Sequence, residues 1–224
     1  MKLSITIIVM LALIFVLPAM GETAQFWSDQ ANAFFVSGDY ERAAAGYDKA
    51  LELEPNSTDL WNNRGKSLAN LGRVYEAISC FNRSLQINAS DLESRNLLAI
   101  ALSQGLSKYS EAIVIFDQIL QINPSYYDAL IGKGMALANE GDLPMSLDCF
   151  EKATRTRPRD PSGWNNKGVI LREMGRYQDA LTCFTRAIDL DSNHEAAMRN
   201  RELTFQDLQE ERQTSPSMST DNML

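Results

Sequence analysis

The sequence predicts an all-α fold, a row of five helix–turn–helix units finished by a closing helix. Three observations predict it. The phrase WNNRGKSLANLG at 61–72 returns as WNNKGVILREMG at 164–175, and its two tryptophans are 103 residues apart, three steps of 34 and one residue over. Residues 24–57 align with 58–91 without a gap, as do 127–160 with 161–194, and the middle unit, 92–126, is one residue longer. Within a unit, as in ERAAAGYDKALEL at 41–53, small and aromatic residues recur three to four apart, which lines one face of a helix.

Taken in order, residues 1–21 are of another kind. LSITIIVMLALIFVLPAM carries no charge between Lys2 and Glu22. With Pro18, Ala19 and Gly21 at its end, it reads as a secretory signal peptide cleaved before Glu22. Its length also suits an uncleaved membrane anchor. Either reading places residues 22–224 outside the cytoplasm, secreted or held on the outer face of the cytoplasmic membrane. The repeats follow, with turns punctuated by Gly38-Asp39, Gly72 and Gly141-Asp142, since Gly ends one helix and Asp caps the next. Comparing AFFVSGDYERA with ALSQGLSKYSEA puts the extra residue of the middle unit in the turn around Leu106–Lys108. Pro144 falls where the second helix of its unit begins, a position that tolerates it. Residues 195–212 form a capping helix, with Ala197, Met198, Phe205 and Leu208 expected against the last repeat. The Ser/Thr-rich stretch 213–224 is expected to be a disordered tail.

These units resemble the tetratricopeptide repeat, a 34-residue helix–turn–helix with a W-x₂-L-G-x₂-Y…A-x₃-F…P pattern. The resemblance covers 24–194. The first aromatic is Trp27, Trp61 and Trp164, replaced by Arg95 and Leu130. The following small residue is Ala31, Gly65, Ala99, Gly134 and Gly168. The A-x₃-F pair is Ala43/Tyr47, Ala77/Phe81, Ala112/Phe116, Ser146/Phe150 and Ala180/Phe184. The closing Pro is Pro55, Pro124 and Pro158, with Ala89 and Ser192 departing. The resemblance implies a right-handed α-α superhelix whose first helices line a concave groove.

Composition and chemistry narrow the function. A net charge of -8 with 22% charged residues argues against nucleic acid, which demands a basic surface. Cys80, Cys149 and Cys183 each precede a Phe, which marks a repeat position and a packing role. The single histidine, His194, has no constellation around it, and DLDSNHEAAMRN lacks the Gly and the carboxylate a calcium loop requires. No cofactor, metal site or catalytic set is expected, so the chain reads as a non-enzyme. The sequons at Asn56, Asn82 and Asn88 read as chance matches to a short motif.

Binding remains. By resemblance, the groove should be lined by Asn32, Asn62, Asn63, Lys66, Asn96, Leu97, Ile100, Ile131, Met135, Asn165, Asn166 and Val169, polar toward the N-terminus and apolar beyond. Such a groove suits a peptide or protein segment, although apolar residues at helical spacing also suit plain packing. A clamp for a C-terminal carboxylate, known in the family, is rejected: Asn32 and Asn63 match its amides, but Ser28, Glu93 and Leu97 stand at its cationic places. An asparagine ladder is broken by Asp29, Leu97 and Gly132. The expected role is an exported or membrane-tethered interaction module. The alternative is a structural subunit of an envelope complex that uses its convex face or its ends.

Overall fold

The computed structural model describes residues 23–214, so the expected leader and most of the expected tail lie outside the described residues. Those described form eleven α-helices and no strand. First helices begin at Ala24, Thr58, Leu92, Tyr127 and Pro161, and they pair with second helices in the order α1 (Ala24–Val36), α2 (Tyr40–Leu53), α3 (Thr58–Asn70), α4 (Val74–Ile87), α5 (Leu92–Ile100), α6 (Tyr109–Ile122), α7 (Tyr127–Glu140), α8 (Leu143–Thr156), α9 (Pro161–Glu173), α10 (Tyr177–Leu190). The last helix is α11 (Glu195–Thr214). Among the described residues no helix is long and apolar enough to cross a membrane.

Local chemistry sets these boundaries. Thr23, Asp39, Ser57, Asp91, Asp142 and Asp160 each accept a backbone N–H of the helix they precede, meeting one of the donors a helix start leaves unpaired. Pro144 lies in the first turn of α8. His194 has a structural role too: its Nδ1 accepts the Ala197 N–H at 3.2 Å and caps α11.

The chain divides into two compact units between Ala101 and Leu102. In the first, Tyr47, Ala31, Ala50 and Leu60 form one cluster, and Phe81, Leu68, Ala77 and Cys80 another. In the second, Phe150, Phe184, Ile170 and Leu171 form the main cluster, with Tyr127, Leu130 and Ala153 beside it. The ring of each A-x₃-F pair is at most 2% exposed. These rings account for the small residue of the first helix: a Cβ on Gly65, Gly134 or Gly168 would stand 2.5, 2.8 or 2.6 Å from Phe81, Phe150 or Phe184 of the same repeat.

The repeated phrase carries a repeated bond. Trp61 Nε1 donates to the carbonyl of Pro55 at 2.9 Å, and Trp164 Nε1 to that of Pro158 at 3.0 Å. Each tryptophan therefore ties its helix to the closing turn of the previous repeat. Where Arg95 replaces the tryptophan and Ala89 the proline, the Arg95 guanidinium makes the same bond to the Ala89 carbonyl at 2.7 Å. The departure from the pattern preserves the contact.

Two expectations change. The extra residue of the middle repeat is taken up inside the helix, where Ala101–Gly105 form a π-helical turn, and not in the turn at Leu106–Lys108. A wider i→i+5 turn absorbs one residue without breaking the helix. That keeps the turn in register: Ser107 stands where the other repeats have Gly72 and Gly141, and shares their left-handed backbone with φ 55°. A side chain in that region costs about 1–2 kcal/mol, so Ser107→Gly should raise the thermal midpoint of unfolding by a few degrees, as followed by circular dichroism. The second change concerns α11. Ala197 and Leu208 are buried together with Thr204, but Met198 is 38% and Phe205 49% exposed. Positions 197, 204 and 208 share a stripe, whereas 198 and 205 are each rotated about 100° from it.

Candidate functional site

The predicted groove residues separate into seam and surface. Asn62 is 2% exposed and turned into the first unit: its Nδ2 donates to Asp91 Oδ2 at 3.3 Å, and Ser94 Oγ lies 2.9 Å from its Oδ1. Ser94 Oγ also meets Ser84 Oγ at 2.7 Å and bonds to the Asp91 carboxylate. Asn165, at 8% exposure, accepts from Asn200 Nδ2 of α11 at 3.0 Å. Asn96 is 5% exposed, and its Oδ1 is buried without a partner. Asn62 and Asn165 are seam groups and Asn96 is buried, so none of the three faces a partner surface, a correction with a simple cause. Neighbours on a helix point about 100° apart, so Asn62 cannot share the outlook of Asn63.

Asp91 is the hinge of that first seam. Burial pushes its carboxyl up, but hydrogen bonds from the Ser94 side chain and backbone, Asn62 and Glu93 outweigh it and hold the carboxyl below its usual value. A folded pKa below the unfolded value of about 3.9 stabilises the unit above that pH. The contribution is lost as pH falls through the folded value. Asp91→Ala should therefore cost about 1–3 kcal/mol at neutral pH, and the gap to the parent, measured by urea unfolding, should close as pH drops below about 4.

On the surface of the first unit, Asn32 is exposed and accepts the Tyr47 hydroxyl at 2.6 Å, while Asn63 is half-buried. Lys66 is ion-paired with Glu93 at 3.4 Å. Leu97 packs on the Phe81 cluster, and Ile100 is half-buried. This face is polar and largely committed to itself.

The second unit is different. Ile131 packs between its two clusters and belongs mostly to the core. Met135, Asn166 and Val169 come together with Asn139 and Glu173 around a shallow pocket of about 240 Å³ between α7 and α9, floored by Phe150 and Ile170. The apolar position continues one helix further at Leu203, 38% exposed. Leu203 falls outside the expected groove because the sequence alone presents the closing helix as a cover. The signal was present: Leu203 lies 34 residues after Val169, and Asn200 lies 34 after Asn166.

No group of His, Cys, Asp and Glu among the described residues is placed to hold a metal. All three cysteines are buried and unbridged. Burial pushes the Cys149 thiol up to about 11, and it raises Cys80 and Cys183 despite the cations Arg64 and Lys167 beside them. Such thiols are poor nucleophiles at neutral pH.

Comparison with known proteins gives the same construction. Models of the tetratricopeptide repeat match residues 58–91 and 161–194, and a TPR repeat model matches 31–72. The transcription factor tau 131 kDa subunit of Saccharomyces cerevisiae is 23% identical over 79% of this chain, which spans 17% of that protein. Protein O-mannosyl-transferase TMTC1 of Homo sapiens is 25% identical over 75% of this chain, which spans 19% of it. Among solved structures, YrrB, a TPR protein with an unusual peptide-binding site, is 26% identical, with 81% of this chain and 93% of that one covered and a TM-score of 0.56. TTC0263, a thermophilic TPR protein of Thermus thermophilus, is 16% identical and shares the fold, with 82% and 99% covered and a TM-score of 0.71. The recurring tryptophan, small residue and ring thus have their explanation: residues 31–91 and 161–194 are tetratricopeptide repeats, and the helical array shares the fold of solved TPR proteins.

Proposed function

We propose that the chain is a non-catalytic interaction module that holds a peptide or protein segment against the first helices of its second unit. The observation that carries this reading is the convergence of Met135, Val169 and two asparagine side chains on one open pocket. Proteins built of tetratricopeptide repeats mediate protein–protein contacts, and YrrB has a peptide-binding site. Export or membrane tethering is part of the proposal and rests on the apolar sequence of residues 3–20.

The test is a crosslinking pull-down from native membranes with the parent chain and a Met135→Asp, Val169→Asp variant shown by circular dichroism to stay folded. Loss of a captured protein from the variant is the expected result. Persistence of the same proteins would overturn the reading and favour the structural-subunit alternative, which has its own observation in Met198 and Phe205 exposed on the terminal helix. A companion fractionation should find the protein extracytoplasmic; recovery in the cytosol would remove export from the proposal.

A further inference from the structure

We infer that the pocket of the second unit is a receptor for a lysine or arginine side chain of an extended partner peptide. The inference rests on the binding role proposed above. Of the residues lining the pocket, Glu173 carries the only charge. The nearby cation, Arg172, is committed to Asp207 of α11 at 2.6 Å, and that hydrogen bond, set against burial, holds its guanidinium in the charged form. Glu173 itself acts on Arg172 only as the least of these causes, so the rim presents a carboxylate that has no ion pair among the described residues beside an apolar floor.

Lysine and arginine have the matching profile, an apolar stem and a cationic end. The stem would lie over Met135 and Val169 while the head reaches Glu173. A volume of about 240 Å³ admits one such side chain, not a cluster. The amides complete the fit. Asn139 spends its Nδ2 on the Met135 carbonyl at 2.8 Å, which leaves its Oδ1 to accept. Asn166 Oδ1 receives only a long bond, 3.5 Å, from Asn165, and its Nδ2 is left to donate. One acceptor and one donor at the edge of a pocket suit the N–H and C=O of a passing peptide bond. In the first unit the place of Val169 is taken by Lys66, 103 residues earlier, and that lysine is paired with Glu93 at 3.4 Å.

The experiment is a selection of random peptides displayed on phage against the immobilised full chain, with the winners resynthesised and titrated against the parent, Glu173→Gln, Glu173→Lys and Val169→Asp, each checked for helical content. The inference expects a lysine or arginine at a fixed place among the winners. It also expects a weakening of about three- to tenfold on Glu173→Gln, more on Glu173→Lys, and loss on Val169→Asp. Winners lost on Val169→Asp but indifferent to both Glu173 changes would overturn the basic-residue inference and leave the groove reading standing. No winners, or winners that ignore Val169→Asp, would overturn both.

Discussion

Phe184→Ala is expected to destabilise the second unit by about 3–5 kcal/mol, the range for removing a fully buried aromatic ring. Phe184 is 0% exposed and sits among Ile170, Leu171, Ala180 and Cys183. The helix it covers comes so close that Gly168 has no room for a Cβ. Neighbours in so tight a contact cannot collapse into the vacated space without moving a whole helix, which puts the cost toward the upper end of that range. Because repeat arrays unfold as coupled neighbours and not as one block, the loss should be local. Hydrogen exchange should quicken first in α9, α10 and α11, while the amides of α1 and α2 keep their protection. Uniform loss across the chain would show instead that the repeats unfold all or none.

Filling the same contact from the other side gives the second large effect. Gly65→Val should cost at least about 3 kcal/mol, the upper end of ordinary overpacking penalties. A Cβ at residue 65 would meet Phe81 at 2.5, 2.9 and 3.0 Å along one edge of the ring, and that ring is 1% exposed with nowhere to swing. Even alanine, a better helix former than glycine by about 1 kcal/mol, should lower stability here, since the clash exceeds the gain. The decisive measurement is a double-mutant cycle by urea denaturation: Gly65→Ala combined with Phe81→Leu should be less harmful than the sum of the two. Strict additivity would show that ring and glycine do not press on each other.

The fold was legible because its signals are repeated. A single Gly or Trp means little, but the same small residue before the same ring in successive repeats averages out local accident. What stayed hidden was direction. Asn62 and Asn63 are one letter apart, yet one is buried in a seam and the other only half-buried, a distinction the period of 34 carries only once the seam is seen. The same shift of one position moved Met198 and Phe205 of α11 from the inside to the outside. The π-helical turn at Ala101–Gly105 was also beyond sequence, since an insertion shows in an alignment as a length and not as a place. Conversely, Leu203 could have been found by carrying the period one step past the last complete repeat.

The hydrogen bond from the first aromatic to the preceding carbonyl has a consequence for how such a chain grows. Trp61 and Trp164 reach back to Pro55 and Pro158, while Asn62 and Asn165 reach forward to the next repeat or to α11. Plug and socket are thus written side by side in the same few letters, so a copied segment arrives already compatible with both its neighbours. Where Arg95 and Ala89 stand in place of the tryptophan and the proline, the joint still closes. A gene that duplicates such a segment in frame adds a working joint at each end, and lengthening becomes a change that selection can accept in a single step.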